Sequence, residues 1–269
     1  MASGIAVGFA LGLTGGGGSI FAVPLLIYLC GVPPRPAIAI SLAAVGGTAL
    51  AGAVARARSG EVELRTALIF AAAGMAAAPL GSWTGARLSE GLLLTLFGGL
   101  MVLVAVRMWR RSALEGRTVR VPLADAPAGG EGPGCRRDAR GRLHLDSRCT
   151  LVLALTGLGT GYLAGLFGVG GGFVIVPALV LFTGMAIHRA VATSLLVIAL
   201  IAVSGVTSQV LGGAALDPGI TALFVLGGLL GMGLGTLLGR RLAGPTLQRV
   251  FAGAIILVGA FVIVRARLG

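Results

Sequence analysis

No lysine occurs in this sequence, and only nine residues are acidic. Those nine, Glu61, Glu63, Glu90, Glu115, Asp125, Glu131, Asp138, Asp146 and Asp217, all fall at the ends of apolar segments or between them. A carboxylate relay for protons or a carboxylate site for metal cations needs an acid inside an apolar segment, so both are disfavoured. Aromatic residues make up 5% and no basic face recurs along a polar helix, which removes the usual footprint of a nucleic-acid binder despite a formal charge of +12. Three cysteines, Cys30, Cys135 and Cys149, form no close pair and no CxxC, so the sequence predicts no disulfide framework and a reduced compartment for the central segment. His144 lies between two of them without a fourth ligand, and no metal is assigned. No nucleotide-binding loop is present, no cofactor is expected, and no basic leader precedes the first apolar segment, which reads as part of the fold.

What is abundant is apolar surface. Hydrophobic residues make up 56% of the chain and charged residues 11%, with a mean hydropathy of +1.00. A bilayer core about 30 Å thick takes roughly 20 apolar residues per helical span, and the chain divides into about eight such windows. They run from Gly4 to Leu29, Pro36 to Ala55, Ala67 to Leu88, Gly91 to Trp109, Leu151 to Phe182, Ala190 to Leu211, Ile220 to Leu238 and Leu247 to Val264. The expected fold is all-α and membrane-integral: about eight transmembrane helices in two homologous four-helix repeats, each with a glycine-broken first helix. The expected units are residues 1–110 (first membrane repeat), 111–149 (a cytoplasmic linker rich in Arg, Gly and Pro) and 150–269 (second membrane repeat).

The repeat emerges when Pro24 is laid on Pro177, a displacement of 153 residues. Gly8 and Gly12 then fall on Gly161 and Gly165; Gly15, Gly17 and Gly18 on Gly168, Gly170 and Gly171; and Ser41-Leu42 on Ser194-Leu195. One added residue brings Gly81, Gly85 and Arg87 onto Gly235, Gly239 and Arg241. Matched Pro, Ser and Arg speak for duplication over chance similarity of Gly/Ala/Leu-rich stretches.

All basic residues are arginine, and they lie between apolar windows. If each first segment crosses the membrane as a broken helix, fifteen arginines fall inside with both termini and six outside. If it enters and returns on one face, the halves are inverted, and seventeen fall on the linker side against four with the termini. Both arrangements obey the positive-inside rule, and the eight-span arrangement is the one expected here. Arg87, Arg240 and Arg241 read as interfacial anchors.

The clusters at Gly12–Ser19 and Gly165–Gly172 hold the candidate chemistry. Each Gly costs about 1 kcal/mol relative to Ala inside a helix, and unwound backbone is tolerated in a bilayer only where it faces protein or a water-filled cavity. A helix restarting after such a break aims unpaired N–H groups at that space and favours an anion. Gly4, Gly8, Gly12, Gly157, Gly161 and Gly165 suit close helix packing better than a site. The candidate substrate-binding set is Gly15, Gly17, Gly18, Ser19, Ser41, Gly168, Gly170, Gly171, Gly172 and Ser194. Ser41 and Ser194 enter as matched hydroxyls just inside the second helix of each repeat. Thr48, Thr193, Ser204, Thr207, Ser208 and Gln209 are further polar residues in the windows, and His188 is a titratable residue near the second break.

GLTGGGGSIFAVP and GLFGVGGGFVIVP, followed by Ala-Ile-Ala-Ile-Ser-Leu and Ala-Val-Ala-Thr-Ser-Leu, resemble the sulfite exporter TauE/SafE family of membrane transporters. The likeness covers nearly everything outside the linker. It implies a multi-pass carrier of the cytoplasmic membrane, with no catalytic residues, moving sulfite, thiosulfate or a small organosulfonate. Its partners would be the small anion and the lipid bilayer, with no nucleic acid. Ser19 departs from the glycine pattern that Gly172 keeps, and the linker is longer than the family leads one to expect. An intramembrane enzyme or a non-transporting membrane assembly subunit is the alternative, although no base, nucleophile and metal set occupies the windows.

Overall fold

The computed structural model describes residues 1–14, 16–115, 135–137, 143–144, 146–214, 216–242 and 245–268, and among these described residues are ten α-helices. The order is α1 (Ala2–Thr14), a 3-10 turn (Gly17–Phe21), α2 (Ala22–Cys30), α3 (Pro34–Arg58), α4 (Leu64–Arg87), α5 (Glu90–Glu115), a two-strand ribbon, α6 (Ser147–Phe167), α7 (Gly172–Thr183), α8 (Ile187–Leu211), α9 (Pro218–Leu242) and α10 (Pro245–Leu268). Six of the segments are long and apolar enough to cross a membrane: Pro34–Arg58, Leu64–Arg87, Glu90–Arg107, Ser147–Phe167, Ile187–Leu211 and Pro218–Leu237. Ala2–Leu13, Gly18–Cys30, Gly172–Thr183 and Gly253–Arg265 are shorter apolar stretches. Each of the two long first windows is thus a pair of helices: α1 with α2, and α6 with α7.

Helix starts follow local chemistry. The Asp146 carboxylate accepts from the Ser147 N–H at 2.8 Å, capping α6, and the Asp217 carboxylate accepts from the Ile220 N–H at 3.0 Å, capping α9. Acids at these ends also meet the positive pole of the helix dipole. Pro34, Pro218 and Pro245 stand at first helical positions, where the missing N–H is harmless. Leu103, Leu155, Val203, Leu237 and Leu257 point outward, as lipid-facing side chains do, while Phe70, Leu42, Ile175 and Leu179 fill the interior.

Glycines set the helix directions. A Cβ on Gly4, Gly8 or Gly12 of α1 would stand 2.6, 1.9 and 2.6 Å from the carbonyl oxygens of Phe224, Gly228 and Met232, so α1 and α9 run parallel. On Gly157, Gly161 or Gly165 of α6 it would stand 2.5, 2.1 and 2.0 Å from those of Phe70, Gly74 and Ala78, so α6 and α4 run parallel too. Gly46 faces Ala202, Gly52 faces Leu195 and Gly205 faces Leu42, which makes α3 and α8 antiparallel. Gly52 also faces Met232, and Thr48 meets Gly228, so α3 runs with α9. Since α1 and α3 both run with α9, and only three residues separate Cys30 from Pro34, α2 must return toward the face that α1 left.

The cysteine expectation is corrected. Strands β1 (Arg136–Arg137) and β2 (Leu143–His144) pair antiparallel. That reversal carries Cys135 back to the first turn of α6, where it forms a disulfide with Cys149. Both sulfurs are buried, and Cys30 is free and exposed. A pair separated by fourteen residues closes only because a hairpin intervenes, and two-residue strands leave little trace in composition. Most of the segment 111–149 lies outside the described residues, but α5 extends to Glu115 and α6 begins at Ser147.

Replacing Gly161 with Ala should lower the apparent melting temperature in detergent, because the new methyl meets the Gly74 carbonyl; overpacking of this kind costs about 1–3 kcal/mol. Gly159→Ala in the same helix, with nothing within 4 Å of its Cβ position, should not lower it.

Candidate functional site

Both first segments break at glycine, for different physical reasons. Between α6 and α7, Gly168, Gly170 and Gly171 have φ of 70°, 48° and 66°. A side chain in that left-handed region costs roughly 1–2 kcal/mol per residue. Gly168 closes α6 by donating its N–H to Ala164 O at 2.8 Å, and Gly171 precedes the first turn of α7. Between α1 and α2 the limit is space. A Cβ on Gly18 would lie 2.3 Å from the Leu11 nitrogen, and one on Gly16 would lie 2.5 Å from the Gly172 Cα.

That last contact is mutual, since a Cβ on Gly172 would lie 2.4 Å from the Gly16 Cα. The two breaks therefore touch through their backbones. Ser19, fully buried, sits between them and its Oγ lies 2.8 Å from Gly16 O and 3.1 Å from Val169 O. Its single proton serves both loops. Ser41 reaches in from α3 and donates to Gly168 O at 2.8 Å. Gly165 O, in the last turn of α6, accepts from Ser82 Oγ at 3.4 Å and from Gln209 Nε2 at 3.3 Å.

The sequence-predicted residues divide accordingly. Ser19, Ser41, Gly168, Gly170, Gly171 and Gly172 come together at the junction, with Gly170 between Val45, Ile198 and Ser19. Gly17 begins the 3-10 turn, and Gly18 folds back on α1. Ser194, although matched to Ser41, donates to Val191 O of its own helix at 2.8 Å. Gly15 lies outside the described residues. Sequence reasoning passed over Gly16, whose repeat counterpart is Val169, because one glycine within the run Gly15–Gly18 carries no mark of its own. The contact partner of Gly16 is Gly172, three positions beyond that counterpart. Ser82 was also missed, since a serine mid-window carries no signal of its own.

Chemically, the hydroxyls and the amide are engaged with carbonyl oxygens, so the negative ends of the peptide dipoles are the ones neutralised. At the start of α7, the Val174 and Ile175 N–H groups turn back to Gly171 O at 2.9 and 3.1 Å, while those of Gly172 and Phe173 precede the closed ladder. The first turn of α7 thus presents backbone donors at the second break. Among the described residues no group of three His, Cys, Asp or Glu is placed to hold a metal. Arg87 stacks on Trp83 at 3.5 Å, and Arg35 donates to Ala86 O at 3.1 Å, so both serve the end of α4.

Residues 1–262 match the model of the sulfite exporter TauE/SafE family. A "Probable membrane transporter protein" of Xylella fastidiosa (strain 9a5c) is 39% identical over 98% of this chain and 94% of its own length. Two Bacillus subtilis (strain 168) relatives are more distant: "Probable membrane transporter protein YdhB", 29% identical over 74% of this chain and 73% of its own, and "Probable membrane transporter protein YunE", 27% over 95% and 93%. No solved structure matches.

Ser41→Ala should destabilise the protein by about 1–3 kcal/mol, because it strands the buried Gly168 carbonyl. Thermal unfolding in detergent reads this, and Thr207→Ala, whose hydroxyl is on an exposed part of α8, should leave the midpoint near wild type.

Proposed function

The chain belongs to the sulfite exporter TauE/SafE family, and on that premise we propose that this membrane transporter is a secondary carrier of a small sulfur-containing anion: sulfite, thiosulfate or an organosulfonate. The observation that carries the reading is the junction of the two glycine breaks, where side-chain donors engage the carbonyls and the N-terminal turn of α7 begins. No acidic residue of the sequence falls in this part of either first segment. A divalent or monovalent oxyanion therefore meets dipoles of the right sign and no competing carboxylate. The site is Gly16, Ser19, Ser41 and Gly168–Gly172, joined by Gly15, Gly17, Gly18 and Ser194 from the matched positions.

The membrane repeats are residues 1–110 and 150–269, separated by the linker 111–149, and they are inverted. Under the repeat alignment α3 corresponds to α8, and these run antiparallel; the contacts of Gly4, Gly8 and Gly12 recur at Gly157, Gly161 and Gly165 with the corresponding partners. A two-fold axis in the membrane plane produces that pattern. Each glycine segment is then a re-entrant hairpin, each half contributes three crossings, and the termini lie opposite the linker. Seventeen arginines against four support a linker on the cytoplasmic side of the cytoplasmic membrane. Charge near the spans acts during insertion, and it sets the orientation in the proposed topology.

Purified protein in liposomes should move labelled sulfite, thiosulfate or a sulfonate with saturation and counterflow; absence of all three fluxes from correctly inserted protein removes the substrate class. Tags on both termini should react with membrane-impermeant reagents outside cells, and a tag between residues 116 and 134 should not. Termini and linker labelled from the same face would return the fold to two parallel four-span repeats.

A further inference from the structure

The first turn of α3 and the last turn of α4 meet at the face opposite the linker in the proposed topology, and an arginine joins them. Arg35, exposed near the start of α3, donates from Nη2 to Ala86 O at 3.1 Å. One turn back along the same face of α4 is Ser82, whose Oγ donates to Gly165 O at 3.4 Å. That carbonyl also accepts from Gln209 Nε2 at 3.3 Å. Gly205 faces Leu42 across the antiparallel pair α3 and α8, so Gln209, one turn on, comes level with Ile38. Ile38 is one turn inward from Arg35 and borders the second break, since a Cβ on Gly168 would lie 2.7 Å from its carbonyl oxygen. One further turn inward, Ser41 donates to Gly168 O.

Polar groups thus descend from the surface to the junction: Arg35 is exposed, Gln209 half-buried, and Ser82 and Ser41 buried. The only charge on this line is positive. A purely structural part for Arg35 accounts for its bond and not for its charge. One helix-end carbonyl needs one donor, which a neutral side chain supplies, and a cation in the first turn of α3 opposes the dipole of its own helix. Insertion also disfavours arginine on the translocated face, where the proposed topology leaves only four: Arg35, Arg87, Arg265 and Arg267. Two of these four stand at one place, Arg87 with its guanidinium 3.5 Å over the Trp83 ring.

We propose that Arg35 and Gln209 form an anion-binding mouth on the outer face, which holds a small sulfur oxyanion on its way between that face and the second break. The guanidinium has donors beyond the one given to Ala86 and can take two oxygens of the anion, and Gln209 offers the other hydrogen of its amide one step deeper. This rests on the reading of the chain as an anion carrier.

Trp83, beside Arg87, reports on the mouth, and in a Trp109→Phe background it is the only tryptophan of the chain. Titration of the purified protein with thiosulfate or methanesulfonate, against sodium chloride at equal ionic strength, should change its emission with saturation. Arg35→Gln keeps a donor for Ala86 O and should weaken the apparent Kd roughly fivefold or more, while Arg35→Lys should recover most of the affinity. Gln209→Met should weaken it as well, and it carries the test if size exclusion shows Arg35→Gln misfolded. Higher ionic strength should narrow the gap between wild type and Arg35→Gln, because an exposed charge is screened. A linear response without saturation, or one Kd shared by wild type and both neutral variants, overturns the mouth. The titration needs no transport: if wild type in liposomes moves no sulfur anion, the proposed function fails, and binding at Arg35 is still decided.

Discussion

Gly16 and Gly172 meet with no room for a methyl group on either, and that contact governs most of what surrounds it. Two backbones can approach so closely only if both are free of side chains, and they can lie inside an apolar bundle only if their polar groups find partners there. Ser19 and Ser41 meet the second requirement by donating to Gly16, Val169 and Gly168. The first requirement dictates which residue stands at each position. Ser19 is tolerated because its oxygen points along the contact, whereas a Cβ at the matched Gly172 would collide with both Gly16 and Ile198. The departure from repeat symmetry is thus enforced by the contact itself, since one side chain fits between two loops and a second does not.

Close approach extends beyond the breaks. Along α1 and α9, and along α6 and α4, glycines face the neighbouring backbone every four residues. Lipid offers no hydrophobic drive for helix association, so van der Waals contact between backbones carries much of the load. The same glycines fix the direction of each helix, and with it the path of the chain. A chain whose first helix runs parallel to its third must turn back in between, and the turn is where glycine runs occur.

Much of this was legible in the sequence. Hydrophobic windows located the helices to within a few residues because the bilayer requires their lengths, and Pro24 laid on Pro177 located the two breaks. What was not legible has a common cause. Gly16 earns its place through Gly172, Ser82 through Gly165, and Cys135 through a hairpin of four paired residues that returns it to Cys149. Each is a relation between distant segments, and a hydropathy window reports only on its own residues. Arginine counts failed for a related reason: they register sides of the membrane and are nearly blind to whether a broken segment crosses or returns.

The polar residues inside the bundle also change meaning once their partners are known. Ser19, Ser41, Ser82 and Gln209 all donate to backbone oxygens at helix ends. Such bonds remove the acceptors from the junction and leave the N-terminal turn of α7 as its dominant dipole. Under the proposed function, specificity for an anion comes from what these side chains do to the backbone. A serine has one proton and spends it on a carbonyl.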